Sequence, residues 1–378
     1  MSETITPITM PKFGLAMTEG KLASWSTPVG ATVKAGDEIA DIETSKITNG
    51  YESPAAGVLR RQVAPEGEML PVGALIGILA DADVPDSDID AFISRFNESF
   101  ISDDSGSAGN DEPTRKVTEV ENLKISVQES GSQHDGIPLL LIHGFGGDLT
   151  NWMMTQPALT ETRRVIAFDL PGHGESSKDV GDGSPVSFAT TVAALAEVLD
   201  LQRVHVAGHS LGGAIALELA KTHPDLVASL TLIAPAGLGQ DISMTFINGF
   251  IEADRRKTLE PVLQQLVHDK SLITRQMIES IIRYKRLDGV IPALKTIAET
   301  NFHDGRQAFP LRSVLETYSG PVQVLWGEQD EILSVAGSED LPDAVTVIRY
   351  PDTGHMPQLE KSPDVNKAIK NFLDSGNS

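Results

Sequence analysis

The sequence predicts a multidomain chain. A small all-β unit over 1–80 is followed by an acidic linker with a short amphipathic helix over 81–114, and then by a doubly wound α/β unit over 115–378 with a helical cap at about 239–312. Three observations predict it. Residues 1–80 are short Val-, Ile- and Leu-rich runs broken by Gly30, Gly36, Gly57, Gly67 and Gly73 at turn-like spacing. From 139 onward, apolar strand-like runs alternate with helical stretches, the pattern of a mostly parallel sheet covered on both faces. Between the two, charge concentrates: residues 1–80 carry 6 basic and 9 acidic residues, 81–114 carry 1 and 10, and 115–378 carry 23 and 34.

Each element can be justified in turn. In the middle segment, Ile89, Phe92, Ile93, Phe96 and Phe100 share one helical face, that of a helix that docks on a neighbour, the alternative being a small partner-binding element. From Ser102 to Pro113 there is almost nothing to bury, and the chain reads as a self-repelling, extended linker. Strands are predicted at Leu139–Ile142, Val165–Phe168, Val204–Ala207, Leu230–Ile233, Val322–Trp326 and Val345–Ile348, and helices at Phe188–Leu199, Leu211–Lys221 and Pro363–Phe372. Residues 239–312 lack strong strand signals and read as a helical insertion over the sheet's C-terminal edge. No internal repeat is found.

Composition excludes several function classes. Of 378 residues, 30 are Lys or Arg and 53 Asp or Glu, a formal charge of −23. That balance argues against nucleic acid or an anionic membrane surface as partner. No apolar run reaches the length of a membrane span, and Met1 to Ile5 lacks the basic and apolar regions of a secretory signal, so a cytoplasmic protein is expected. With no Cys there is no disulfide, Cys nucleophile, zinc ribbon or iron–sulfur cluster, and no metal site is expected. Thiol chemistry carried by a cofactor stays open.

In the small unit, a strand of period two enters the polar turn Glu43-Thr44-Ser45-Lys46-Ile47, and Ser53-Pro54-Ala55 comes soon after. A lysine at such a tip is open to a modifying enzyme, and a group amide-linked to it swings freely; the plain alternative is a solvated turn lysine. With Gly20, Trp25, Val33, Gly36-Asp37, Gly67 and Gly73, this stretch resembles the lipoyl domains of 2-oxo acid dehydrogenase complexes. The family has Asp before the modified Lys where this chain has Ser45. Biotin domains flank their Lys with Met, which Ser45 and Ile47 do not match. The resemblance implies lipoate on Lys46.

In the large unit, Gly208-His209-Ser210-Leu211-Gly212 joins a predicted strand directly to a predicted helix. That is G-x-S-x-G in the strand–turn–helix context it requires, with glycines where side chains would clash. The helix N-terminus at Ser210 favours developing negative charge. Upstream, His143-Gly144-Phe145-Gly146-Gly147 comes after another strand and reads as the loop that donates an oxyanion N–H. The backbone N–H groups of Phe145 and Leu211 are the expected oxyanion pair. In chain order an acid and then a His must come later; Asp330 and His355 lie after the last two strands, and Glu328 and Asp352 are less well placed alternatives. His143 and His173 read as loop hydrogen bonders, and His209 as an elbow filler within reach of substrate. The other histidines read as structural or exposed. These motifs resemble the α/β-hydrolase family over 115–378.

A lipoyl carrier joined to a catalytic domain is the layout of an E2 acyltransferase. None of the nine His residues begins the His-x-x-x-Asp-Gly motif of the usual E2 active site; a hydrolase fold stands in its place. The combination resembles the dihydrolipoyllysine acetyltransferases of acetoin dehydrogenase complexes. The resemblance implies transfer of acetyl from S-acetyldihydrolipoyl-Lys46 to coenzyme A through Ser210, His355 and Asp330. It also implies a thiamine-diphosphate-dependent E1 and a flavin-dependent E3 as partners, and a homo-oligomer. A peripheral subunit-binding domain is not evident at 81–114. Two alternatives stand: a serine ester or thioester hydrolase, since water is the common acceptor in this fold, and a non-catalytic lipoyl scaffold. Arg255-Arg256-Lys257 reads as a solvated helix face, the alternative being a contact for coenzyme A phosphates.

Overall fold

The computed structural model describes residues 5–11, 19–43, 48–104 and 114–375. The chain divides into two compact units, Met1–Asn110 and Asp111–Ser378.

The first unit holds strands β1 (Ile5–Thr9), β2 (Glu19–Trp25), β3 (Thr32–Val33), β4 (Glu38–Glu43), β5 (Thr48–Glu52), β6 (Gly57–Gln62), β7 (Met69–Pro71) and β8 (Leu75–Ala80). They form two four-stranded antiparallel sheets, ordered β1-β8-β6-β3 and β5-β4-β2-β7. Of the five glycines expected in turns, Gly30, Gly36, Gly67 and Gly73 have φ near +90°. Gly57 instead opens β6, where a Cβ would press on Leu79.

The expectation of no internal repeat is overturned here. Adding 37 to the numbers of β2, β3 and β4 gives, within a residue, those of β6, β7 and β8, and the two sheet orders superimpose position by position. The buried core is duplicated with them: Leu22 and Leu59, Ile39 and Ile76, Ile42 and Leu79 are 37 apart, and each is 1% exposed or less. The repeat escapes a sequence reading because few identities survive beyond Pro28/Pro65, Gly30/Gly67 and Gly36/Gly73.

Helix α1 (Asp86–Asp104) lies against β8. Ile89 is fully buried with Leu75, Ile78, Ala80 and Val84, and Phe92, Ile93 and Phe96 pack on this cluster. The side chain of Phe100 and all of 105–113 lie outside the described residues. The Arg60 guanidinium donates to the carbonyls of Asp81 and Val84 and pairs with Asp86 at 2.9 Å, while Arg61 reaches Asp86 and Asp90. Acidic side chains in the first turn suit the helix dipole.

The second unit is built on an eight-stranded sheet. Strands β9 (Thr114–Val120), β10 (Leu123–Ser130) and β11 (Leu139–Ile142) are succeeded by α2 (Gln156–Thr160), β12 (Val165–Phe168), α3 (Pro185–Val198), β13 (Val204–His209), α4 (Leu211–Thr222) and β14 (Val227–Ile233). The cap is next: α5 (Met244–Glu252), α6 (Arg256–Leu263), α7 (Arg275–Lys285), α8 (Val290–Asn301), β15 (Phe302–His303) and β16 (Arg306–Gln307). Then come α9 (Val314–Thr317), β17 (Val322–Gly327), β18 (Val345–Tyr350), α10 (Pro357–Glu360) and α11 (Ser362–Ser375). Sheet order is β18-β17-β14-β13-β11-β12-β10-β9, parallel from β18 to β12 and closed by an antiparallel pair.

Strands β11 to β14 are buried on both faces, which is why β11 and β12 read as unbroken apolar runs and β13 and β14 as mainly apolar ones. The β9–β10 hairpin and the β15–β16 pair were not expected from the sequence. The second turns on Asp304-Gly305, with φ of 50° and 76°, as a two-residue hairpin requires. Among the described residues no helix is long and apolar enough to cross a membrane.

Truncating Ile89 to Ala empties the α1 contact and is expected to lower the stability of the first unit by about 2–5 kcal/mol. Hydrogen exchange in the full chain checks this: protection falls in β8 and stays unchanged in β13.

Candidate active site

The turn from β13 into α4 places Ser210 at φ 55° and ψ −119°, outside the regions open to most residues. The surroundings over-determine it. Its N–H donates to Ile233 O at 3.0 Å, and its carbonyl accepts from Gly213 and Ala236 at 2.9 Å each. Close approach dictates the flanking glycines. A Cβ on Gly208 would lie 2.2 Å from Gly212 O, and one on Gly212 would lie 2.2 Å from Ile142 O. No side chain fits either gap.

The loop after β11 lies against this turn: a Cβ on Gly144 would stand 2.9 Å from that of Ser210. Two buried histidines shape the loop. His143 bonds Gly144 O through Nδ1 at 2.8 Å and accepts the Leu170 N–H on Nε2 at 2.9 Å. His173 bonds Pro171 O through Nδ1 at 3.0 Å and accepts the Gly146 N–H on Nε2 at 3.1 Å. In each ring one nitrogen donates and the other accepts, the pattern of neutral imidazole. Burial pushes both, and His209, below the ordinary histidine range. The N–H groups of Phe145 and Leu211 have no acceptor among the described residues, although both residues are buried. Buried N–H groups are normally paired, so two free ones beside Ser210 stand out.

Asp330 lies in the loop after β17 and His355 in the loop after β18. They meet at 2.8 Å, Asp330 Oδ2 to His355 Nδ1, with side chains 0% and 2% exposed. Three further donors converge on the carboxylate: Trp326 Nε1–H on Oδ2 at 3.0 Å, and the N–H groups of Ile332 and Leu333 on Oδ1 at 2.8 and 2.9 Å. Glu328 is exposed, and its N–H donates to Tyr350 O. Asp352 is exposed and lies 3.9 Å from His268. Neither is bonded to His355.

Several positioning residues were not singled out in the sequence. Gln329 bonds Thr353 twice, its N–H to the Thr353 carbonyl and its Oε1 from the Thr353 N–H, both at 2.9 Å. Glu360 accepts the Gly354 N–H on Oε1 at 2.6 Å and the N–H groups of His268 and Asp269 on Oε2. The cap reaches the site through aromatic rings. Phe145 packs edge-on against Phe250 and Phe302, with centroids 5.9 and 6.3 Å apart. Lys285 donates to the carbonyls of Phe250 and Ala253, closing the C-terminus of α5, and burial brings it down to about 8.

In the first unit, the last registered pair of the β4–β5 hairpin is Glu43 with Thr48, leaving 44–47 as its connection. Lys46 falls in that connection and lies outside the described residues. Among the described residues no cluster of His, Asp and Glu is arranged to hold a metal ion.

Residues 137–362 match the alpha/beta hydrolase fold family and residues 6–79 the biotin-requiring enzyme family. A dihydrolipoyllysine-residue acetyltransferase component of an acetoin cleaving system from Pseudomonas putida is 43% identical over 369 residues, covering 98% of each chain. The protein so named from Cupriavidus necator is 39% identical over 373 residues, covering 99% of this chain and 98% of that one. A meta-cleavage product hydrolase from Pseudomonas fluorescens shares the fold, with a TM-score of 0.63 at 21% identity over 69% of this chain and 97% of that one.

The buried histidines give the fold an acid limit. His143, His173 and His209 stay neutral in the native protein and protonate near pH 6.5 once unfolded. Unfolding therefore takes up protons. Stability is full above about pH 6.5 and falls below it, by up to about 1.4 kcal/mol per pH unit for each histidine. Denaturant titrations from about pH 7 to pH 5 are expected to lose one proton's worth of that slope in His173→Gln.

Proposed function

The chain belongs to the dihydrolipoyllysine-residue acetyltransferases of acetoin cleaving systems, in the branch built on an α/β-hydrolase fold, and from that membership we propose that Ser210, His355 and Asp330 carry the acetyl transfer, with Lys46 as the lipoyl attachment site. The activity is transfer of an acetyl group to coenzyme A, and the cofactor is lipoate. The lipoyl group supplies the thiol that carries acetyl as a thioester.

The observation that supports the assignment is the sealed Asp330–His355 pair, with four donors on one carboxylate, joined through the bond from His209 to the residue next to a serine held on a strained turn. Asp330 holds the His355 Nδ1–H, which leaves Nε2 free to act as base and balances the imidazolium as it forms. His355 takes the proton from Ser210 Oγ as that oxygen attacks the thioester carbonyl. The Phe145 and Leu211 N–H groups hold the tetrahedral oxyanion, each donor worth about 3–4 kcal/mol of barrier. His355 then gives its proton to the departing sulfur, the C–S bond breaks, and the acetyl group stays on Ser210. In the second half, His355 deprotonates the coenzyme A thiol, which attacks the acetyl-serine. The new C–S bond forms, the ester C–O bond breaks, and Ser210 recovers its proton from His355.

As an E2 component the chain works with an E1 that loads the carrier and an E3 that reoxidises it. Thiamine diphosphate in E1, a flavin in E3, self-association of this chain and a cytoplasmic site of action complete the proposal.

Product identity tests it. Acetylated, lipoylated full-length protein is mixed with coenzyme A, and acetyl-coenzyme A and acetate are quantified by chromatography. Acetyl-coenzyme A is expected, abolished in Ser210→Ala and Lys46→Arg, and about 10⁴-fold slower in Asp330→Asn, which presents the wrong tautomer to the serine. Serine-dependent acetate alone makes the domain a thioester hydrolase. Full turnover in Ser210→Ala removes the triad.

A further inference from the structure

We propose that His209 is a positioning residue that fixes how far the base His355 stands from Ser210. The inference rests on the triad reading above. His209 Nε2 lies 2.8 Å from the backbone carbonyl of His355. A carbonyl only accepts, so Nε2 is the donor. The two rings sit 4.8 Å apart, inclined at 50°, and the residues are 3% and 2% exposed. Nδ1 of His209 is buried without a hydrogen-bond partner, and a Cβ on Gly144 would lie 3.2 Å from it. The ring is thus lodged between the loop that bears the base and the loop beside the nucleophile, and it uses a single bond.

That bond completes a series. Three successive residues of the base loop are each held through the backbone: Thr353 N–H on Gln329, Gly354 N–H on Glu360, and His355 C=O on His209. The first two anchors come from 24 and 6 residues away. The third comes from 146 residues away and from the residue covalently next to Ser210. Asp330 sets the tilt of the His355 ring through Nδ1. His209 ties the chain of His355 to the chain of the nucleophile, so the two reacting groups share one short strut. A displacement of about 1 Å between such groups costs on the order of 100-fold in rate.

A matched pair of amides tests this in the full-length, lipoylated and acetylated protein. The amide nitrogen of Gln reaches as far as Nε2, whereas that of Asn reaches only as far as Nδ1. In His209→Asn, kcat for acetyl-coenzyme A formation is expected to fall about 10- to 100-fold, with KM for coenzyme A unchanged. His209→Gln is expected to recover most of that loss. In both, the far-downfield proton resonance of His355 Nδ1–H against Asp330 persists, which reports that the acid–base pair and the fold are intact. Equal rates in the Asn and Gln variants, or loss of the downfield resonance together with activity in His209→Asn, overturn the inference. Ser210→Ala is measured alongside: if it is inactive and the amides are equal, only the His209 assignment falls, whereas if it is active the triad falls and the His209 assignment with it.

Discussion

Two backbones cross at Gly212 with no room for a side chain between them, 2.2 Å being all that a Cβ would have to Ile142 O. The rest of the site depends on that crossing. It lets α4 start directly at the end of β13, which forces Ser210 into its strained conformation. It brings the loop after β11 against the serine, and the N–H groups of Phe145 and Leu211, from two different elements, have no acceptor among the described residues. It also puts His209 next to the base loop. Strain at one residue and two open donors are costs to the fold, met by the buried parallel strands on either side.

Electrostatics divide along the same lines. Around Asp330 the side-chain and backbone contacts all donate into the carboxylate. Around the loop after β11 the ionisable rings are held neutral by burial, and their polarity is spent on backbone groups. Donors therefore converge on a carboxylate after β17, whereas neutral rings hold backbone groups in the loop after β11. The arrangement suits a reaction in which negative charge appears on the substrate and positive charge on a histidine. The cap bears on the loop after β11: Phe250 packs edge-on against Phe145, and Lys285 closes the helix that carries Phe250.

Local signals served well wherever the physics is local. Leu139–Ile142 and Val165–Phe168 run as predicted, because a strand buried on both faces has no polar alternation to blur its ends. Ser210 was singled out from its two glycines, and Asp330 and His355 from their order after the last strands. Trp326, Gln329, Glu360 and the bond made by His209 were not, because each acts on a backbone group or carboxylate brought near only by the fold. The β9–β10 hairpin was missed because its edge strand, Thr114–Val120, mixes Thr, Arg, Lys and Glu with only two valines. Lys46 was singled out on its flanking pattern alone and lies outside the described residues.

The 37-residue repeat of the small unit has a bearing on how a carrier is made. Strands β4 and β8 are the same strand of two copies. Strand β4 runs into the connection that holds Lys46, and β8 runs into the segment that leads through Val84 to α1. Equivalent strands of the two copies therefore have different continuations, one into a hairpin connection and the other into a helix that packs back on its own sheet, so one repeated frame ends in two unlike ways.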